Sequence, residues 1–275
     1  MRTSVALTLV SLLLIAPVTP LDAATFTATL NSIRIVARPG QSVTREFRLT
    51  LDPEQRKTRF TAHMQDWWRS EDGSQSFYRD PGTLSRSCGR WVTLNPVETE
   101  VLPGATMITR LTVAVSPEAI PGGYWCVLTV DELIDPLAPT AAVGVKFLSS
   151  VSVGVFVYVG ELRRAAEITA VDVRQDVAVV QLRNDGNTPL AIEGRFEFIR
   201  PGSTTPHAVV PLARNTLLTQ PVVTGQFSAR LPDAVTLPSG RYLVRAVVDF
   251  GADHYIGTQR EIDVVREPTI VAEAR

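Results

Sequence analysis

Helical periodicity is nearly missing from this chain, and so is any imbalance of charge. Its 27 Lys and Arg stand against 28 Asp and Glu, giving a net charge of −1 and a pI near 6.3. Phosphate binding needs clustered Lys and Arg, so the composition leaves no footprint for nucleic acid or an anionic membrane. Any partner is expected to be a protein or a carbohydrate. The three histidines, His63, His207 and His254, are scattered, and no H-E-x-x-H, G-x-S-x-G or phosphate-loop pattern occurs. The adjacent acids Asp131 and Glu132 directly follow an apolar run and read most simply as a solvated turn rather than as a general acid–base pair. The expectation is therefore a non-enzymatic protein with no cofactor and no metal. An enzyme would need the histidines to converge with carboxylates from distant loops.

Long hydrophobic runs are also scarce. The first residues, MRTSVALTLVSLLLIAPVTPLDAA, place Arg2 ahead of an apolar core from Val5 to Ile15, followed by Pro17, Pro20 and small residues. That order is the pattern of a secretory signal peptide over residues 1–24, with cleavage after Ala23 or Ala24. Its core is too short for a membrane span, which needs about 20 residues. The only other candidate, AAVGVKFLSSVSVGVFVYVG, contains Lys146, three serines and three glycines, so no membrane span is expected in the mature chain. The compartment is then periplasmic or extracellular. Only two cysteines are present, Cys88 and Cys126. In an oxidising compartment they read as disulfide partners, with two buried free thiols as the alternative. Closing a loop of this length stabilises a fold by roughly 3–4 kcal/mol on the chain-entropy model.

What is present is period two. In SVTREFRLTL (42–51), Val43, Phe47, Leu49 and Leu51 fall on one face and Thr44, Glu46, Arg48 and Thr50 on the other. RFTAHM (59–64), TMITRLTVAV (106–115) and YWCVLTV (124–130) read the same way, as half-buried antiparallel strands. A second set comprises DVAVVQLRN (176–184), LAIEGRFEFI (190–199), VVTGQFSARL (222–231) and RYLVRAVVDF (241–250). In 190–199, Leu190, Ile192, Phe196 and Phe198 should face inward while Glu193, Arg195 and Glu197 face out. NDGN (184–187) and RPGS (200–203) supply turns. SPEAIPGGYWCVLTVDE (116–132) and LPDAVTLPSGRYLVRAVVDFG (231–251) share a Pro-acidic-Ala start, a Pro/Gly turn, a Tyr and an alternating strand, so each half looks like the same kind of module. The fold class is thus all-β, with two tandem immunoglobulin-like β-sandwiches. The expected divisions are a first domain at 25–160, a charged linker at 161–167 (from GELRRAAE), a second domain at 168–265 and a loose tail at 266–275.

All four tryptophans lie in the first half. Trp91 and Trp125 sit beside the two cysteines, where a packed Trp is a common sandwich feature. Trp67 and Trp68 are adjacent, so one of them should point away from the core and stand exposed if the strand persists.

Three segments resemble the periplasmic pilus-assembly chaperones, the PapD-like family. They are TLNSIRIVARPGQSVTREFRL (29–49), RWVTLNPVETEVLPGATMITRLTV (90–113) and VSVGVFVYVG (151–160). The resemblance implies binding of a surface-fibre subunit or other secreted client by strand addition at a sheet edge. It also implies an anchor for the client's terminal carboxylate, for which Arg34 is the matching residue. The family's lending-strand Lys has no counterpart within 151–160, and Lys146 lies upstream. The residues expected to bind the partner are Arg34, Val151, Val153, Val155, Val157 and Val159, the valines forming one row of an edge strand. Core packing of that row is the alternative, and a structural or adhesive envelope module is the alternative function.

Overall fold

A computed structural model describes residues 24–29, 32–133, 148–219, 224–233 and 236–265 of the 275-residue chain. Residues 1–23 of the expected signal peptide, Lys146 and the expected tail at 266–275 lie outside the described residues. The first half contains β1 (Phe26–Ala28), β2 (Ser32–Ala37), β3 (Ser42–Leu51), β4 (Thr58–Arg69), β5 (Gln75–Tyr78), β6 (Val92–Asn95), β7 (Glu98–Val101), β8 (Thr106–Ala114), β9 (Gly122–Glu132) and β10 (Ser150–Val159). The second contains β11 (Ala166–Arg174), β12 (Val177–Asn184), β13 (Leu190–Ile199), β14 (Ala208–Leu217), β15 (Thr224–Arg230), β16 (Gly240–Asp249) and β17 (Ile256–Val264).

Each half is a sandwich, because each strand has one apolar face that only a second sheet can cover. The first packs the sheet β1-β3-β8-β6 against β2-β10-β9-β4-β5, with β7 paired to β4. Phe47, Leu49 and Leu51 from one sheet meet Phe60, Leu128 and the valines of β10 from the other in a single core. The opening segment serves both layers: β1 pairs antiparallel with β3, whereas β2 runs parallel to β10. In the second half β11-β12-β15 faces β14-β13-β16-β17 around Phe196, Phe198 and Phe250.

The internal echo has a structural basis. The Tyr124 hydroxyl at the start of β9 donates to the carbonyl of Ile120 at 3.0 Å, and the Tyr242 hydroxyl at the start of β16 donates to that of Pro238 at 3.1 Å. Each is a tyrosine corner, which fixes the chain as it enters a central strand. The Gly122–Gly123 pair of the first copy has its own reason. A Cβ on Gly123 would fall 2.4 Å from Pro189 Cδ, and one on Gly122 2.5 Å from the carbonyl of Asn187, so only glycine lets the second half approach here.

Cys88 and Cys126 form the expected disulfide, with Cα atoms 5.4 Å apart. It joins the turn before β6 to the middle of β9.

Four expectations are corrected. Trp67 and Trp68 are both buried, at 9% and 8% exposure. After Gln65, β4 leaves β9 and pairs with β5, and the outer face of the sheet at that point is covered by Leu84 and by Leu218 of the second half. Trp125 is buried in this outer cluster and not in the sandwich core, whereas Trp91 packs at the core's edge with its ring centroid 4.4 Å from that of Tyr124. Glu132 is no solvated turn: it ends β9 at 4% exposure. Glu197 is likewise buried, its carboxylate held between Arg195 at 2.7 Å and Arg245 at 3.3 Å.

Candidate functional site: the cleft between the halves

Strand β10 brings the site together because its two faces do different things. Val153, Val155, Val157 and Val159 point into the first core at no more than 1% exposure. The partner-binding row expected on those residues is therefore corrected: their side chains are core, and Val151 alone of the five is only half-buried. For Gly154–Val159 the strand is also interior, lying between β9 and β2. Among the described residues, β10 does keep an edge. Residues Ser150–Val153 pair with β9 on one side, while β2 begins to pair only at Gly154. No other strand among the described residues pairs with that stretch.

The opposite row, Ser152, Gly154, Phe156 and Tyr158, lines a half-open cleft of about 470 Å³ between the two halves. Its first wall continues through Arg34, whose register partner on β10 is Phe156, and through Trp67, Arg69 and Phe77. The second half contributes the turn at Pro189 and, from β14, Arg214 and Thr216. The parallel pairing of β2 with β10 is what sets Arg34 on the cleft face, since Ile33 and Ile35 on either side are core.

The cleft is electropositive. Three guanidinium groups line it, from Arg34, Arg69 and Arg214, and no carboxylate does. None of the three makes an ion pair or side-chain hydrogen bond among the described residues, whereas Arg48 pairs with Glu46 and Arg183 with Glu167 and Asp185. Burial holds the Arg69 guanidinium below its usual pKa, since removal from water disfavours the charge. It also pushes the Tyr158 hydroxyl up, while Arg34 and Arg164 pull it the other way. An anion of carboxylate size entering the cleft would meet three guanidinium side chains and no acid among the lining residues, so its contacts would be charge-assisted hydrogen bonds. Phe77 at the rim is 48% exposed and Tyr78 37%, so the entrance also offers aromatic surface.

The cleft is held from both sides. Gly123 N donates to the carbonyl of Asn187 at 2.9 Å, and Gln226 N to that of Glu71 at 2.7 Å. Leu218 of the second half packs into the cluster of Trp67, Trp68, Trp125, Val127 and Phe156. Of the anticipated residues, Arg34 is in the cleft. Arg69 and Arg214 were not foreseen, because each looks like an ordinary polar-face residue of its strand and only the domain packing brings them together. The histidines serve elsewhere: His63 lies 3.6 Å from Asp131, His254 beside Asp253 and His207 stacked on Tyr242. Among the described residues no cluster of His, Cys, Asp or Glu could hold a metal ion, and no helix is long and apolar enough to cross a membrane.

No protein-family model matches the sequence, and neither does any curated protein. Solved structures do match. A chain of a chaperone–tip adhesin complex of CFA/I fimbriae biogenesis aligns at TM-score 0.50 and 10% identity over 87% of this chain and 99% of that one. The class 5 fimbriae chaperone CfaA aligns at 0.48 and 11% over 86% and 99%. The Pseudomonas aeruginosa CupB2 chaperone aligns at 0.43 and 15% over 85% and 99%. At such identities the likeness is one of fold, and its end-to-end coverage includes both sandwiches. This chain therefore has the PapD-like chaperone fold of two tandem immunoglobulin-like domains.

Proposed function

We propose that this protein is a non-enzymatic periplasmic chaperone that binds a secreted or surface-fibre subunit by strand addition. The open edge of β10 at Ser150–Val153 receives a client strand, and the client's terminal carboxylate seats in the arginine cleft. The observation that carries this reading is the cleft itself: three arginines without acidic partners at the junction of two sandwiches, beside a strand whose main chain is unpaired at Ser150–Val153 among the described residues. A sheet edge left open is an aggregation hazard, which favours a dedicated partner for it. Arg69 and Arg214 take the place of the cation that the family's pattern puts on the lending strand. The domain limits at 25–160 and 168–265 belong to this proposal. An exposed Trp67 or Trp68 would favour the alternative of a structural or adhesive module, and both are buried.

The test uses the C-terminal peptide of a fibre subunit from the same envelope, as free acid and as amide. The free acid should bind at least tenfold more tightly, and Arg34→Ala with Arg214→Ala should remove that advantage while leaving amide binding unchanged. Amide exchange should slow at 150–153 on binding. Equal affinity for acid and amide, with no protection at 150–153, would sink the proposal.

A further inference from the structure

The Ala24 backbone nitrogen lies 3.2 Å from Glu132 Oε2, at the end of β9. The same oxygen accepts the Ser149 amide at 3.1 Å, and the Ala24 carbonyl accepts the Ser149 hydroxyl. Ala24 is 6% exposed, with its methyl in the first core. Glu132 is 4% exposed, and the nearest side-chain cation is Arg56, 3.7 Å away and more than half exposed. A carboxylate this deep normally has a close counter-charge, because neutral amides offset only part of its lost hydration. Here the missing charge has an obvious source in the chain. Ala24 follows the apolar leader and the small residue Ala23, the position at which a leader peptidase cuts.

We infer that the leader is removed between Ala23 and Ala24, and that the new α-ammonium of Ala24 closes a buried ion pair with Glu132. Water hydrolyses the Ala23–Ala24 amide in the leader peptidase: Ala23 leaves with the carboxylate, and the Ala24 nitrogen takes up protons to become an ammonium, its ordinary form below about pH 8. The amide donor already aimed at Glu132 thereby becomes a charged one. Cleavage one residue later would delete a core methyl and move the charge to Thr25, which is exposed. Glu132 and Ser149 flank the connection from β9 to β10, so the pair ties the first residue of the mature chain to the base of that connection. It exists only after processing, and the precursor lacks it.

Two measurements test this. The full chain is exported with its own leader and the product's N-terminus sequenced and weighed. Ala24 is expected first; a start at Thr25 or elsewhere, or an uncut chain, overturns the inference. Then four leaderless chains are made with defined ends, starting at Ala24 or Ala23, each with and without Glu132→Gln. The extra residue should lower Tm by about 5 °C when Glu132 is present and by about 1 °C in the Glu132→Gln background. Equal losses in both would mean packing rather than charge and would overturn it. N-acetylation of the Ala24-start chain removes the charge without touching Glu132 and should reproduce the larger loss; no loss counts against the pair.

Discussion

Asp66 offers the sharpest test of how the cleft wall is held. Its carboxylate is fully buried, and Oδ2 accepts Gly82 N at 3.0 Å and Leu84 N at 2.9 Å, while Oδ1 accepts the Ser87 hydroxyl. Those donors all belong to the loop that leads to Cys88 and covers Trp68 and Trp125, whose rings lie 6.1 Å apart. In Asp66→Asn one oxygen can still face the two amides, but the charge is gone and the new NH2 faces a hydroxyl that already accepts Gly82 N and Gly89 N. Hydrogen bonds to a charged group contribute about 1.5–3 kcal/mol against about 1 for neutral ones, so two weakened bonds give a loss of about 2 kcal/mol. Asp66→Ala leaves the Leu84 amide and the Ser87 hydroxyl without an acceptor and should lose about 4 kcal/mol. Urea unfolding followed by tryptophan fluorescence reads this directly, because the loop lies over the tryptophans. If Asp66→Ala unfolds within 1 kcal/mol of the wild type at unchanged m-value, the loop is held by something else and the reasoning is wrong.

Three further outcomes follow from the fold. Replacing Cys88 and Cys126 by Ser opens a loop with a sequence separation of 38 and should lower stability by about 4 kcal/mol, checked by denaturant midpoint against the oxidised wild type. Tyr124→Phe and Tyr242→Phe should each cost about 1 kcal/mol, additively because they belong to different cores; strong coupling in the double variant would contradict two separate sandwiches. Gly123→Ala drives a methyl into Pro189 and Thr188, and should cost about 2 kcal/mol and alter the scattering profile as the halves separate; an unchanged profile would count against a fixed cleft.

Strand after strand was legible because alternation is a local property. Ser42–Leu51 and Leu190–Ile199 match the sequence reading residue for residue in extent, and Phe47, Leu49, Phe196 and Phe198 face inward as their parity requires. The disulfide was legible because only one pairing was possible. The errors share one cause. Parity tells which residues lie together on a face, but not what covers that face. Trp67 and Trp68 are both buried because the second half adds Leu218 over a surface that one sandwich would leave wet. Glu197 is buried because two arginines from neighbouring strand positions close over it.

The same division governs the site. The sequence by itself determined an all-β chain of two related modules, one cross-link, and a strand with valines on one row and Ser152, Gly154, Phe156 and Tyr158 on the other. Only the tertiary structure decided which row is core, that β2 closes the edge from Gly154 onward, and that Arg34, Arg69 and Arg214 share a cleft with no acid in it. Strand alternation arises within a few residues of chain, whereas the electrostatics of a cleft arise from groups far apart in sequence that meet only when two domains pack.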